Sequence, residues 1–118
     1  MKRQIILLCC LVLLPAQGFG RAFKTGNILL EECEEFLNEH GHVAKGLLCS
    51  SYIAGISDFH NLNTIAGLPN AYQWCLPDVN KGQLVRVVTK WLLENPDKLH
   101  FGAAGLVGSA LEEAFPCE

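Results

Sequence analysis

Ser50, Ser51, Asp58 and His60 fall within eleven residues and carry the groups of a hydroxyl nucleophile, a base and an orienting carboxylate. Neither serine, however, sits in the strained strand-to-helix turn that exposes a nucleophile, and serines early in a helix with an aspartate near its end are commonplace. His40 and His42 offer two imidazoles without a carboxylate at a spacing that would complete a metal site, so they read as solvated turn residues. The glycine patterns of dinucleotide-binding turns and P-loops do not occur. No catalytic, cofactor-binding or metal-ligating residue is therefore expected, and a binding protein is the better reading.

Cysteine chemistry says more, once the compartment is fixed. The chain opens with Lys2 and Arg3, continues with an apolar run from Ile5 to Leu14, and then reaches small residues at Ala16 and Gly18. That is the layout of a secretory signal peptide, with cleavage expected after Gly18 or Gly20, so residues 1–20 are a leader and 21–118 a single domain. The apolar run is well short of the roughly 20 residues of a membrane-spanning helix, and no membrane attachment is expected after cleavage. Cys9 and Cys10 follow Leu7 and Leu8, where a lipidation signal needs small residues, and read as apolar parts of the leader.

Export leaves Cys33, Cys49, Cys75 and Cys117 in an oxidising space, and an even number in a short exported chain reads as two disulfides. Their spacings of 16, 26 and 42 lack the close pairs of a zinc site. Without the leader, seven Lys and Arg face twelve Asp and Glu, a balance that speaks against a nucleic-acid partner.

The elements that must hold these thiols follow from apolar spacing. Leu29, Leu30, Cys33, Phe36 and Leu37 mark one face of a helix with Asn27 as its N-cap. Its outer side carries Glu31, Glu32, Glu34, Glu35 and Glu39, a solvated face or a docking face for a basic partner. A second helix is predicted from Gly46 to Phe59, with Leu48, Tyr52, Ile56 and Phe59 on one stripe and Cys49, Ile53 and Ile56 on the next. Around a turn at Gly41, Cys33 and Cys49 are equidistant, which makes them the natural bridge of an antiparallel hairpin and leaves Cys75 for Cys117.

From His60 to Trp74 no apolar period survives, and a long loop is predicted. Asn80 and Gln83 have the identities of a capping box opening a third helix through Leu84, Val88 and Trp91. Asn95-Pro96 should end it and open a fourth, running to about Ala114 with Leu99, Ala103, Leu106, Ala110 and Ala114 inward. Gly102, Gly105 and Gly108 cost about 1 kcal/mol each against alanine inside a helix, and close backbone approach is their expected return. The fold class is thus all-α, a small bundle of four to five helices with two disulfides.

The ordered set Cys49-Ser50-Ser51-Tyr52-Ile53-Ala54-Gly55, Asp58, Trp74-Cys75-Leu76-Pro77, Gln83-Leu84-Val85, Trp91-Leu92, Asn95-Pro96 and Ala114-Phe115-Pro116-Cys117 resembles the Tai/Rap family of type VI secretion amidase immunity proteins. The resemblance runs from Leu29 to Cys117. It implies a small helical periplasmic protein, commonly a homodimer, that blocks a peptidoglycan amidase effector sterically and catalyses nothing. The family's interface positions are not carried over.

The residues themselves point to the His60–Trp74 loop as the inhibitory element, with Ile65, Leu68, Pro69, Asn70 and Tyr72 as partner contacts. Pro116 stops the last helix, and Cys117 beyond it would tether that end to the loop at Cys75. The alternative is a periplasmic acid-stress chaperone or another small binding module, whose four histidines and many glutamates would trigger exposure of apolar surface at low pH.

Overall fold

Leu29, Leu30, Cys33 and Phe36 recur at helical spacing, and the computed structural model, which describes residues 22–118, folds them into α1 (Gly26–Leu37). The expected leader lies outside the described residues. The N-cap of α1 is Thr25, whose side chain accepts from the Ile28 amide, while Asn27 lies inside the first turn. The cause is tertiary. Thr25 forms an isolated antiparallel bridge with Gly102, and the Gly26 and Asn27 amides donate to the Phe101 and Leu99 carbonyls at 3.0 and 2.9 Å. Those bonds fix extended backbone just before Gly26, and the helix starts there.

The second helix, α2 (Val43–Ile65), is longer at both ends than its apolar spacing predicts. His60, Asn61, Asn63 and Thr64 are weak helix formers, which hides its last turn and a half in the sequence. It stops where Gly67 takes a φ of 68°, a left-handed conformation that favours glycine. The Leu68 amide reaches back to the Asn63 carbonyl at 2.8 Å and the Gly67 amide to Thr64 at 3.2 Å, the two bonds of a Schellman motif. The hairpin of α1 and α2 brings Cys33 and Cys49 to a Cα separation of 5.0 Å and joins them in a disulfide, as the turn arithmetic predicts.

Asn80 and Gln83 make both bonds of a capping box and open α3 (Lys81–Glu94). The single fourth helix expected from Pro96 is broken in two. A 3-10 turn at Pro96–Lys98 is followed by non-helical residues and then by α4 (Ala103–Ala114), capped by Gly102. The break follows from the N-terminal bridge, because the carbonyls of Leu99 and Phe101 accept from Asn27 and Gly26, and the Ala103 amide donates to Lys24. Asn95, expected to cap with its side chain, donates instead to the Trp91 carbonyl at 2.8 Å.

The described residues therefore form an all-α bundle of four helices and one 3-10 turn, with disulfides at Cys33–Cys49 and Cys75–Cys117. Leu29, Ile53, Val85, Val88, Leu92, Val107 and Leu111 are completely buried around the first bridge. Leu99, Ala103, Leu106 and Ala110 point inward as predicted, but Ala114 is exposed. Leu48 and Phe59, placed on a core stripe by spacing alone, are also largely exposed. Among the described residues no helix is long and apolar enough to cross a membrane.

Candidate functional site

The C-terminal half of α2 is held from one side by the loop that follows it. Asn70 turns back onto the helix, donating to the His60 carbonyl at 3.2 Å and the Thr64 hydroxyl at 3.1 Å and accepting from the Asn63 amide at 3.1 Å. Trp74 is buried and stacks on His60 with ring centroids 3.7 Å apart. Tyr72 lies against α4 at Gly105 and Gly108, so close that a β-carbon on Gly108 would come within 2.5 Å of the ring. In place of the close backbone approach expected of these glycines, what they admit is an aromatic side chain.

Three further links run from this loop to the end of α4. The Gln73 amide donates to the Glu112 carboxylate at 2.9 Å, the Cys75 amide donates to the Phe115 carbonyl at 2.9 Å, and Cys75 is bonded to Cys117. The loop is irregular in backbone yet fixed along one edge. Its other edge is open: Ile65 is 78 % exposed and Leu68 57 %, and Pro69 is exposed beside them. Of the five partner contacts read from sequence, Ile65, Leu68 and Pro69 thus form an outward apolar tip. Asn70 and Tyr72 are half-buried and shape that tip from within.

Leu62, exposed on the helix leading to the tip, has no place in a loop reading, and Phe59, assigned by spacing to a core stripe, stands exposed beside it. The signal that finds Leu62 is Gly67 with Pro69 two residues later, a helix stop that moves the boundary past Ile65. Apart from histidine, Asp58 is the only charged residue between Gly46 and Pro77. Beyond Asp58, which is exposed at its base, this end of the molecule is therefore an apolar spur without Asp, Glu, Lys or Arg.

The hydroxyls and imidazoles that suggested chemistry are not brought together. Ser50 is buried and donates to the Leu47 carbonyl at 3.3 Å, Ser51 is exposed, and His60 stacks on Trp74 with its Nε2 buried and without a hydrogen-bond partner among the described residues. Among the described residues no three of His, Cys, Asp and Glu cluster at metal-binding distance.

The acidic helix is less uniform than its sequence suggests. Glu32 is buried, not solvated, because Lys24 from the N-terminal stretch bonds its carboxylate and also lies 4.8 Å over the Tyr52 ring. Burial pushes the Tyr52 phenol above its ordinary value, against the smaller opposing effect of the Ala104 backbone. Lys45 bonds Glu31 at the surface, and that hydrogen bond, followed by simple charge attraction, holds the Glu31 carboxyl below its usual range.

A family model described as Rap1a immunity proteins matches residues 25–117, which takes in all four helices, both disulfides and the spur. Among curated proteins no relative matches the chain.

Proposed function

From the premise that this chain belongs to the Rap1a immunity protein family, we propose that it acts in the periplasm, binding a peptidoglycan amidase effector of type VI secretion and blocking its cleft. Membership makes it an immunity protein for a secreted effector, and the two disulfides fit an oxidising compartment. The plug in this reading is the tip formed by Ile65, Leu68 and Pro69.

The observation that carries it is an apolar spur, without Asp, Glu, Lys or Arg beyond Asp58, whose inner edge is already fixed by Asn70, Tyr72, Trp74 and the Cys75–Cys117 bridge. A fixed segment loses little conformational freedom on docking, so more of its contact energy appears as affinity. Side chains without charge also enter a cleft without the cost of stripping water from an ion.

The test is inhibition of peptidoglycan hydrolysis by a purified amidase effector of type VI secretion. Ile65→Ser with Leu68→Ser removes two apolar anchors and should weaken inhibition about 100-fold while helix content stays unchanged. Full inhibition by the double variant rejects the tip as the plug. Failure of the unaltered protein to bind that amidase rejects the target.

A further inference from the structure

The half of α2 that leads to the tip carries polar residues along one side. Ser57, Asn61 and Thr64 follow one another in steps of four and three, with Asp58 and His60 on the two flanks. Trp74 and Leu76 stand opposite, and the two walls enclose a recess of about 470 Å³, within the range that holds a small ligand or a partner's side chain. No lysine or arginine lines it.

The groups in this recess can accept hydrogen bonds and lack donors to accept from. Ser57 is only 9 % exposed, and its Oγ is shielded from water without a hydrogen-bond partner among the described residues; His60 Nε2 is in the same position. A hydroxyl inside a helix commonly turns back to the carbonyl four residues before it, as those of Thr64 and Ser109 do at 3.0 Å. Ser57 does not. Asp58 is exposed beside it, and the ion pairs of the described residues lie at Lys24, Lys45 and Lys90, none of them with Asp58. An unpaired polar atom shielded from water costs stability, and a complex that supplies its partner recovers that cost.

One carboxylate among neutral acceptors calls for a cation that brings several N–H groups. A metal ion would want more ligands of its own kind, and among the described residues no three of His, Cys, Asp and Glu come together. An ammonium is a compact point charge. A guanidinium is flat, carries five N–H donors in a fixed fork, and lies well against an apolar wall such as Trp74 and Leu76. Two of its donors match a carboxylate side by side, and others remain for a hydroxyl and a neutral imidazole nitrogen. Ser57 presents its oxygen by rotation about a single bond.

The place of the recess says where such a group comes from. Asp58, Leu62 and Ile65 stand in steps of four and three on one line of α2, so the carboxylate lies about 10 Å behind the tip. When the tip fills a cleft, the recess meets the cleft's rim. We infer that the recess takes an arginine side chain from the rim of the effector's cleft, with Asp58 pairing its charge and Ser57 and His60 accepting its remaining N–H groups. The apolar tip then supplies contact, and the single charge behind it selects which cleft is entered, because a wrong partner covers Asp58 and leaves it unpaired. The partner's identity rests on the reading of the tip as the plug, whereas the choice of a guanidinium is measured without any effector.

N-acetyl-arginine amide, titrated to tens of millimolar into the isotope-labelled protein, should shift the amide resonances of residues 57–61 and the indole N–H of Trp74. The lysine analogue should act more weakly, the citrulline analogue, which has the shape without the charge, not at all, and Asp58→Asn should abolish the response. No response, or one that lysine or citrulline matches, overturns the inference. Against the amidase effector, Asp58→Asn should raise the dissociation constant at least about thirtyfold, chiefly through faster release, with helix content unchanged. Ser57→Ala should weaken the complex about tenfold while the denaturant midpoint of the free protein holds or rises, since an unpaired buried hydroxyl is removed; a midpoint that falls with the affinity would overturn the part given to that hydroxyl. Alanine replacement of the effector's rim arginines should find one whose loss adds nothing to that of Asp58. Undiminished binding by Asp58→Asn, or losses that add for every arginine, overturns the rim arginine. If the unaltered protein does not bind the effector, the reading of the plug falls, and the arginine titration alone decides the recess.

Discussion

Replacing the Gly108 hydrogen with a methyl group puts a carbon about 2.5 Å from the Tyr72 ring, and the ring must leave. Alanine gains about 1 kcal/mol in helix propensity against an overpacking cost of about 1–3 kcal/mol, so Gly108→Ala should be only modestly less stable. Its effect should fall on the loop. Helix content by circular dichroism should hold while inhibition drops at least about tenfold; undiminished inhibition would show that the seat of Tyr72 does not shape the plug. Tyr52 sets a second residue-level expectation. Its folded pKa is raised by burial, so its contribution to stability is complete below the ordinary tyrosine value of about 10 and is lost as pH rises beyond it. Thermal denaturation from pH 9 to 11 should show a steeper alkaline loss than in Tyr52→Phe. Glu31 runs the other way: its lowered pKa lends stability above the ordinary glutamate range that disappears as pH falls through the folded value. Lying at the surface, that pair should fade into the background at 0.5 M salt.

At the scale of elements, the last turn and a half of α2 depends on one side chain, since Asn70 bonds His60, Thr64 and Asn63 together. Asn70→Ala leaves these groups to solvent and should loosen the spur by about 1–2 kcal/mol. Hydrogen exchange should then speed up for residues 61–72 and stay slow in α1, α3 and α4; uniform protection would mean that Trp74 and Tyr72 hold the loop unaided. The same element shows what sequence makes legible. The Cys33–Cys49 bridge follows from spacing within one hairpin and the Asn80–Gln83 cap from spacing within one turn, and both were readable. The end of α2 was not, because its apolar residues face outward and the anchor that orders it comes from beyond the helix stop. The broken fourth helix was hidden for a like reason, since its cause lies some 75 residues earlier, at Thr25. Tyr72 read as an anchor for a partner because no local pattern announces a notch in α4.

Across the whole molecule the two disulfides differ in access, for Cys33 and Cys49 are completely buried while Cys75 and Cys117 are exposed. Thiol exchange needs an approach to sulfur, so mild reductant followed by alkylation should label Cys75 and Cys117 well before Cys33 and Cys49. Equal labelling of all four would mean that the core opens as readily as the loop edge. Cys75→Ser with Cys117→Ser should lower stability by about 4 kcal/mol on chain-entropy grounds, read as a fall in the denaturant midpoint. The bundle and its two disulfides were legible from apolar spacing and thiol count, and the family from the ordered motifs. Which side chains lie exposed was not, because exposure is decided by contacts between distant segments. The same pair of bridges also sets a timetable. A chain delivered with its amino end first can seal Cys33 to Cys49 as soon as the hairpin has emerged. Cys75 must wait for 42 more residues, with α3 and α4 among them, before its mate arrives. The loop edge beside the spur is then the last to be set, and a chain halted midway would hold a finished hairpin with a spur still unfastened.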